Sequence, residues 1–123
     1  ENNVVELARR DNLTKQSVAQ EGLAVVIKEM LAQIQIDLYQ KALSYRDSHI
    51  TEVDTFDEFK DVLENKGGFV SAHWDGTSET EEQIKNLTKA TIRCIPNSPI
   101  FEEGKCVFSG KLSTKRVLFA KAY

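Results

Sequence analysis

The sequence predicts a mixed helix-and-strand fold, with one long helix ahead of a smaller body of strands and helices. Three observations predict it. Apolar residues recur at three- and four-residue steps across residues 15–47. Two strand-like runs, at 68–74 and 91–95, flank a stretch that opens on a helix cap, giving a βαβ pattern. Two further apolar runs, at 105–108 and 117–120, supply more strand candidates. The 123 residues suffice for one domain, or one domain and a piece of another, and 41% hydrophobic with 28% charged residues is ordinary for a globular chain. A net charge of −3 argues against a strongly basic nucleic-acid clamp and against a polybasic membrane anchor. Two cysteines do not make a disulfide scaffold and point to a reducing, cytoplasmic setting. No apolar run approaches the ~18 residues of a membrane span. The first ten residues hold four charges, unlike a signal peptide, and a chain opening on Glu1 reads as a piece of a longer protein.

Taken in order, residues 1–14 alternate loosely from Asn2 to Arg10 and turn at Asp11-Asn12. They read as a strand whose partners lie upstream. The long helix is expected over 15–48, with Val18, Leu23, Val26, Ile27, Met30, Leu31, Ile34 and Leu38 as its apolar positions. Thr14 or Ser17 would cap it, and Tyr39 and Tyr45 read as packing residues. A short strand at His49–Val53 precedes a helix from about Asp54 to Lys66, capped by Thr55 and Glu58 and stopped by Gly67. A third helix opens at Ser78-Glu79-Thr80-Glu81 and buries Ile84 and Leu87. The strands on either side of it should run parallel.

Catalytic machinery is sparse. The sequence carries no phosphate-cradling glycine loop, no G-x-S-x-G and no H-E-x-x-H. His49 and His73 stand alone in their segments, and His73 reads as a partly buried strand histidine. Asp57 and Asp61 are one helical turn apart but lack the ordered spacing of a calcium loop. Cys94 and Cys106 lack a base partner and read as buried structural thiols. From Lys105 onward there are five basic side chains and no acidic one: Lys105, Lys111, Lys115, Arg116 and Lys121. Such a stretch either pairs with acids of its own fold or faces a polyanion such as RNA.

The run Gly67-Gly68-Phe69-Val70-Ser71-Ala72-His73-Trp74-Asp75-Gly76-Thr77, then Ile92-Arg93-Cys94-Ile95-Pro96, Gly104-Lys105-Cys106-Val107 and the terminal Phe119-Ala120-Lys121-Ala122-Tyr123 resembles the C-terminal region of archaeal/eukaryotic-like prolyl-tRNA synthetases. Val4 to Ala19 resembles the last strand of their anticodon-binding domain and the start of the connecting helix. The resemblance implies an α+β fold: a two-layer C-terminal domain over 49–123, with a small mixed sheet and packed helices, tethered by the connecting helix. It implies a parent class II aminoacyl-tRNA synthetase, a homodimer that uses ATP with magnesium to ligate proline to tRNA. This fragment would be a non-catalytic support for the catalytic and anticodon-binding domains, without a cofactor of its own. The alternative is a tRNA-contacting module. The family's four-cysteine zinc site maps onto Cys94, Phe101, Cys106 and Phe108, so two ligand positions are phenylalanine and no metal is expected. These four side chains are expected to form a small apolar cluster instead. The family also implies an accessory role for the carboxylate of the terminal Tyr123.

Overall fold

The computed structural model describes residues 3–97 and 100–122. The chain forms two compact units, residues 1–46 and 47–123.

In the first unit, β1 (Val4–Ala8) pairs antiparallel with β2 (Lys15–Ala19), Val5 opposite Val18. This corrects two expectations. The first strand finds its partner within this chain, and residues 15–19 are strand, not helix. The turn chemistry decides the matter. Asn12 Oδ1 accepts hydrogen bonds from the amide and hydroxyl of Thr14, and the Arg9 amide donates to the Thr14 carbonyl at 2.8 Å. Arg9 binds both Asp11 and Asp37 at 2.6 Å, clamping the hairpin to the helix that follows. That helix, α1 (Leu23–Ser48), begins only after Gly22 at φ 73°. Its half-buried stripe is Leu23, Val26, Met30 and Ile34. Tyr39 and Tyr45 are 65% and 68% exposed, so neither is buried.

The second unit is a four-stranded mixed sheet with helices. Strands β3 (Ile50–Glu52), β4 (Phe69–His73), β5 (Ala90–Cys94) and β8 (Arg116–Lys121) lie in the order β3-β4-β8-β5. β3 is parallel to β4, and β8 is antiparallel to both of its neighbours. β4 and β5 therefore run the same way, as a βαβ crossover requires, but β8 is inserted between them. The cause is the apolar content of β8, which buries Val117 and Phe119 completely at the sheet centre. Of the strand expected over 105–108, only Gly104–Lys105 (β6) pairs, with Leu112–Ser113 (β7). The chain turns between them, closed by the Gly110 amide on the Cys106 carbonyl at 3.0 Å.

Helix α2 (Phe56–Asp61) starts with the expected capping box, Thr55 with Glu58. It widens into a π-helical turn at Val62–Lys66 and ends at Gly67, φ 71°. Helix α3 (Ser78–Thr88) is capped by Thr77, one residue earlier than expected, and its inward stripe is Thr80, Ile84 and Thr88. Leu87 lies off that stripe and is 64% exposed. The core holds Phe59, Val62, Leu63, Val70, Ala72, Ile84, Ala90, Val107, Val117 and Phe119. Phe59 meets Phe119 edge-on at 5.1 Å between ring centroids. Each large side chain fully buried there stabilises the fold by roughly 1.5–3 kcal/mol.

Candidate functional site

The four positions of the family's metal site differ in burial and surroundings. Cys94, at the end of β5, is exposed, whereas Cys106 is buried. Phe101 is 81% exposed. Phe108 is half-buried and packs edge-on against Phe56, at 5.0 Å between centroids. The expected apolar cluster therefore does not form, and Cys94 is not a buried thiol. An aromatic ring goes wherever apolar neighbours are, and for Phe108 these are on α2. With one thiol exposed, one buried and two rings that cannot ligate, the residues do not fit a tetrahedral zinc site. Among the described residues no group of three or more His, Cys, Asp or Glu side chains is arranged to hold a metal. Asp57 pairs with Lys60 at 2.8 Å, and Asp61 accepts from Asn65, so the two do not act as a chelating pair. Tyr123 lies outside the described residues.

The structure instead brings together a polar group that the sequence left scattered. His73, on β4, is only 3% exposed. Its Nδ1 lies 3.3 Å from Ser113 Oγ, and its Nε2 has no hydrogen-bond partner. Glu102 Oε1 lies 3.9 Å from Nε2. Glu102 is held by Arg116, whose Nε and Nη2 donate to it at 3.0 and 3.2 Å. Arg116 also donates to Asp54 at 2.6 Å and to the Val53 carbonyl at 2.9 Å. Hydrogen bonding to Arg116 lowers the Glu102 pKa, with partial burial opposing and Coulomb attraction to Arg116 and His73 assisting. Arg116 is raised in turn, by its bonds to Glu102 and Asp54 against the cost of burial. Of the basic C-terminal stretch, Arg116 is thus committed to acids of its own fold. Gly104 makes the arrangement possible, because a Cβ there would stand 2.3 Å from His73 Nε2. The sequence signals were the histidine in a buried strand and the lone glycine before Lys105.

A second polar knot positions α3. Asp75 accepts hydrogen bonds from Ser109, Thr80 and Thr77 at 2.6–3.1 Å. Burial alone would raise its pKa, but the Ser109, Thr80 and Thr77 donors outweigh it and hold the carboxyl at about 2. This carboxylate ties the start of α3 to the turn after Cys106 and leaves no lone pair for chemistry.

A four-stranded mixed sheet with its last strand inside it, packed with helices, is an α+β fold. Comparison with known proteins gives its family. The family described as "Prolyl-tRNA synthetase, C-terminal" matches residues 56–123, and the chain belongs to it. The proline–tRNA ligases of Flavobacterium johnsoniae and Flavobacterium psychrophilum are 63% and 65% identical over 123 residues, all of this chain and 25% of each relative. A crystal structure of prolyl-tRNA synthetase from Cryptosporidium parvum complexed with halofuginone and AMPPNP superposes with a TM-score of 0.91 at 34% identity, covering 99% of this chain and 26% of that one. The chain thus spans about a quarter of the relatives' length and matches their C-terminal region.

Proposed function

We propose that residues 47–123 are a non-catalytic bracing domain of an ATP-dependent proline–tRNA ligase. The carrying observation is a match along the whole chain to one quarter of such ligases. In this reading the parent is a cytoplasmic homodimer, ATP and magnesium act upstream, and tRNA is the substrate of the whole enzyme. The terminal carboxylate of Tyr123 is an accessory group near the upstream active site. Purified residues 1–123 should give no proline-dependent ATP–pyrophosphate exchange, whereas the full-length parent should. Exchange above background by the fragment would overturn the reading. The rival reading, a tRNA-contacting module, is disfavoured because Arg116 is neutralised by Asp54 and Glu102. Salt-sensitive tRNA binding by the fragment, lost on neutralising Lys105, Lys111, Lys115 and Lys121 together, would favour it.

A further inference from the structure

The sequence holds one aspartate or asparagine followed by glycine, Asp75-Gly76. In an unfolded chain such a pair isomerises, because glycine has no side chain to keep its amide nitrogen from the neighbouring side-chain carbonyl carbon. The backbone gives the pair no cover here. Gly76 is exposed, at φ 83°, and a Cβ built on it meets nothing within 4 Å. The main chain is fastened on either side instead. The Trp74 carbonyl accepts from Ser113 Oγ at 2.8 Å, and the Thr77 carbonyl accepts from Trp74 Nε1 at 3.1 Å. What restrains the pair itself is on the aspartate side chain. Asp75 Oδ1 accepts from the amide and hydroxyl of Thr77 at 3.1 and 2.9 Å, and Oδ2 accepts from Thr80 and Ser109 at 2.9 and 2.6 Å. Thr77 and Thr80 lie within five residues of Asp75 and move with it. Ser109 is 34 residues away, and of these donors it alone fixes the carboxylate to another part of the fold.

We propose that Asp75-Gly76 is a latent isoaspartate site, kept closed by the Ser109 hydroxyl. In the reaction held back, the Gly76 nitrogen bonds to Asp75 Cγ, and its hydrogen leaves as water with the hydroxyl of the protonated carboxyl. The succinimide then takes up one water. Breaking the new Cγ–N bond restores aspartate. Breaking the original bond to the Asp75 main-chain carbonyl leaves Gly76 joined through Cγ, with a free carboxylate on Cα. The water lost is regained, so the net change is an isomerisation. Two features of the knot oppose it. The imide keeps only one of the two side-chain oxygens, so hydrogen bonds made by the carboxylate are given up on the way. Water also leaves only from the protonated acid, and with the carboxyl held at about 2 against 3.8 that form is roughly 60-fold rarer at neutral pH. The isomer has one more carbon in its main chain and its carboxylate directly on Cα. It no longer reaches Thr80 and Ser109 together, and α3 loses its tie to the turn after Cys106. The site does not depend on the ligase reading.

The test ages the full-length protein for weeks at neutral pH and physiological temperature. Isoaspartate at position 75 is separated by chromatography of the peptide that carries it and identified by electron-transfer fragment ions. A synthetic peptide with the sequence Ser71 to Thr80 gives the unguarded rate. The folded protein should isomerise at least about tenfold more slowly than the peptide, within the roughly 60-fold set by the scarcity of the protonated acid. Ser109 is exposed, so Ser109→Ala leaves the core untouched. It should speed isomerisation in the folded protein about fivefold, the effect of losing one hydrogen bond of ordinary net strength. Ser109→Thr keeps the hydroxyl and should keep the parent's rate. A folded protein that ages as fast as the peptide, an alanine variant no faster than the parent, or a threonine variant as fast as the alanine one would each overturn the proposal.

Discussion

Replacing Gly104 by alanine adds one methyl group, and the structure shows where it goes. The new Cβ would lie 2.3 Å from His73 Nε2, 2.5 Å from Cδ2 and 2.7 Å from Cε1. An ordinary contact needs about 3.5 Å, so ring or backbone must give way by about 1 Å. The ring is 3% exposed and its far side is held by Ser113, while the carbonyl of His73 accepts from the Val107 amide at 3.0 Å. Neither side yields without losing a hydrogen bond. Overpacking of this kind costs about 1–3 kcal/mol. Urea unfolding of the 123-residue chain, followed by the fluorescence of its one tryptophan, Trp74, reads the second unit directly. His73→Ala alone opens a cavity, and the alanine methyl at 104 partly refills it. The double variant should therefore be more stable than the sum of the two losses predicts, by at least about 1 kcal/mol. A Gly104→Ala variant within about 0.5 kcal/mol of the parent, or strictly additive losses, would refute the close approach of Gly104 to the ring.

The two phenylalanines at family ligand positions should behave differently. Phe108→Ala should cost about 2–3 kcal/mol, below the full core penalty because the ring is half-buried but including its edge contact with Phe56, whereas Phe101→Ser should stay within about 0.5 kcal/mol; the same unfolding assay separates them. Asp75, held at about 2 when folded against 3.8 in its ordinary state, binds a proton more readily in the unfolded chain. Its contribution is present above about pH 4 and is lost as pH falls toward about 2. The stability gap between the parent and Asp75→Asn should narrow across that window in urea titrations at successive pH values, and a gap that stays constant would contradict the hydrogen-bonded carboxylate.

Local signals in the sequence hold where local chemistry decides the structure. The Thr55–Glu58 capping box, the stop at Gly67 and the apolar strand 117–120 all depend on residues a few positions apart. Sequence and structure part where a pairing partner decides. Lys15–Ala19 carries Val18 as an apolar residue ahead of Leu23, but Val5 and Glu6 lie across from Val18 and Ser17, and the Asn12 turn hands the segment to them. β4 and β5 run parallel as the crossover pattern required, but no local pattern at 68–95 announces that β8 will enter between them. That choice is made by which strand has the most apolar surface to hide, a comparison over the whole chain.

The candidate site was harder still to read, and the zinc positions show why. A metal draws its ligands to one point, because each bond is directional and the ion must have four. A phenylalanine carries no such demand and settles against whichever apolar surface is nearest. With phenylalanine at two ligand positions nothing requires the four side chains to meet, and their surroundings differ: Phe108 packs on Phe56, Phe101 is at the surface, Cys94 is exposed at the end of an outer strand and Cys106 is buried. The segment between Cys94 and Cys106 still has to be tied down, and polar contacts now do it. Glu102 takes Arg116 through its side chain and the Thr114 carbonyl through its amide, one residue beyond the exposed Phe101. Reading this from sequence would have required knowing that Arg116 stands opposite His73 across β4 and β8, which is a fact of register. A crosslink once expected of thiolates is carried by a carboxylate and a guanidinium, so the segment should loosen when salt or charge substitution weakens that pair, and not when a chelator is added.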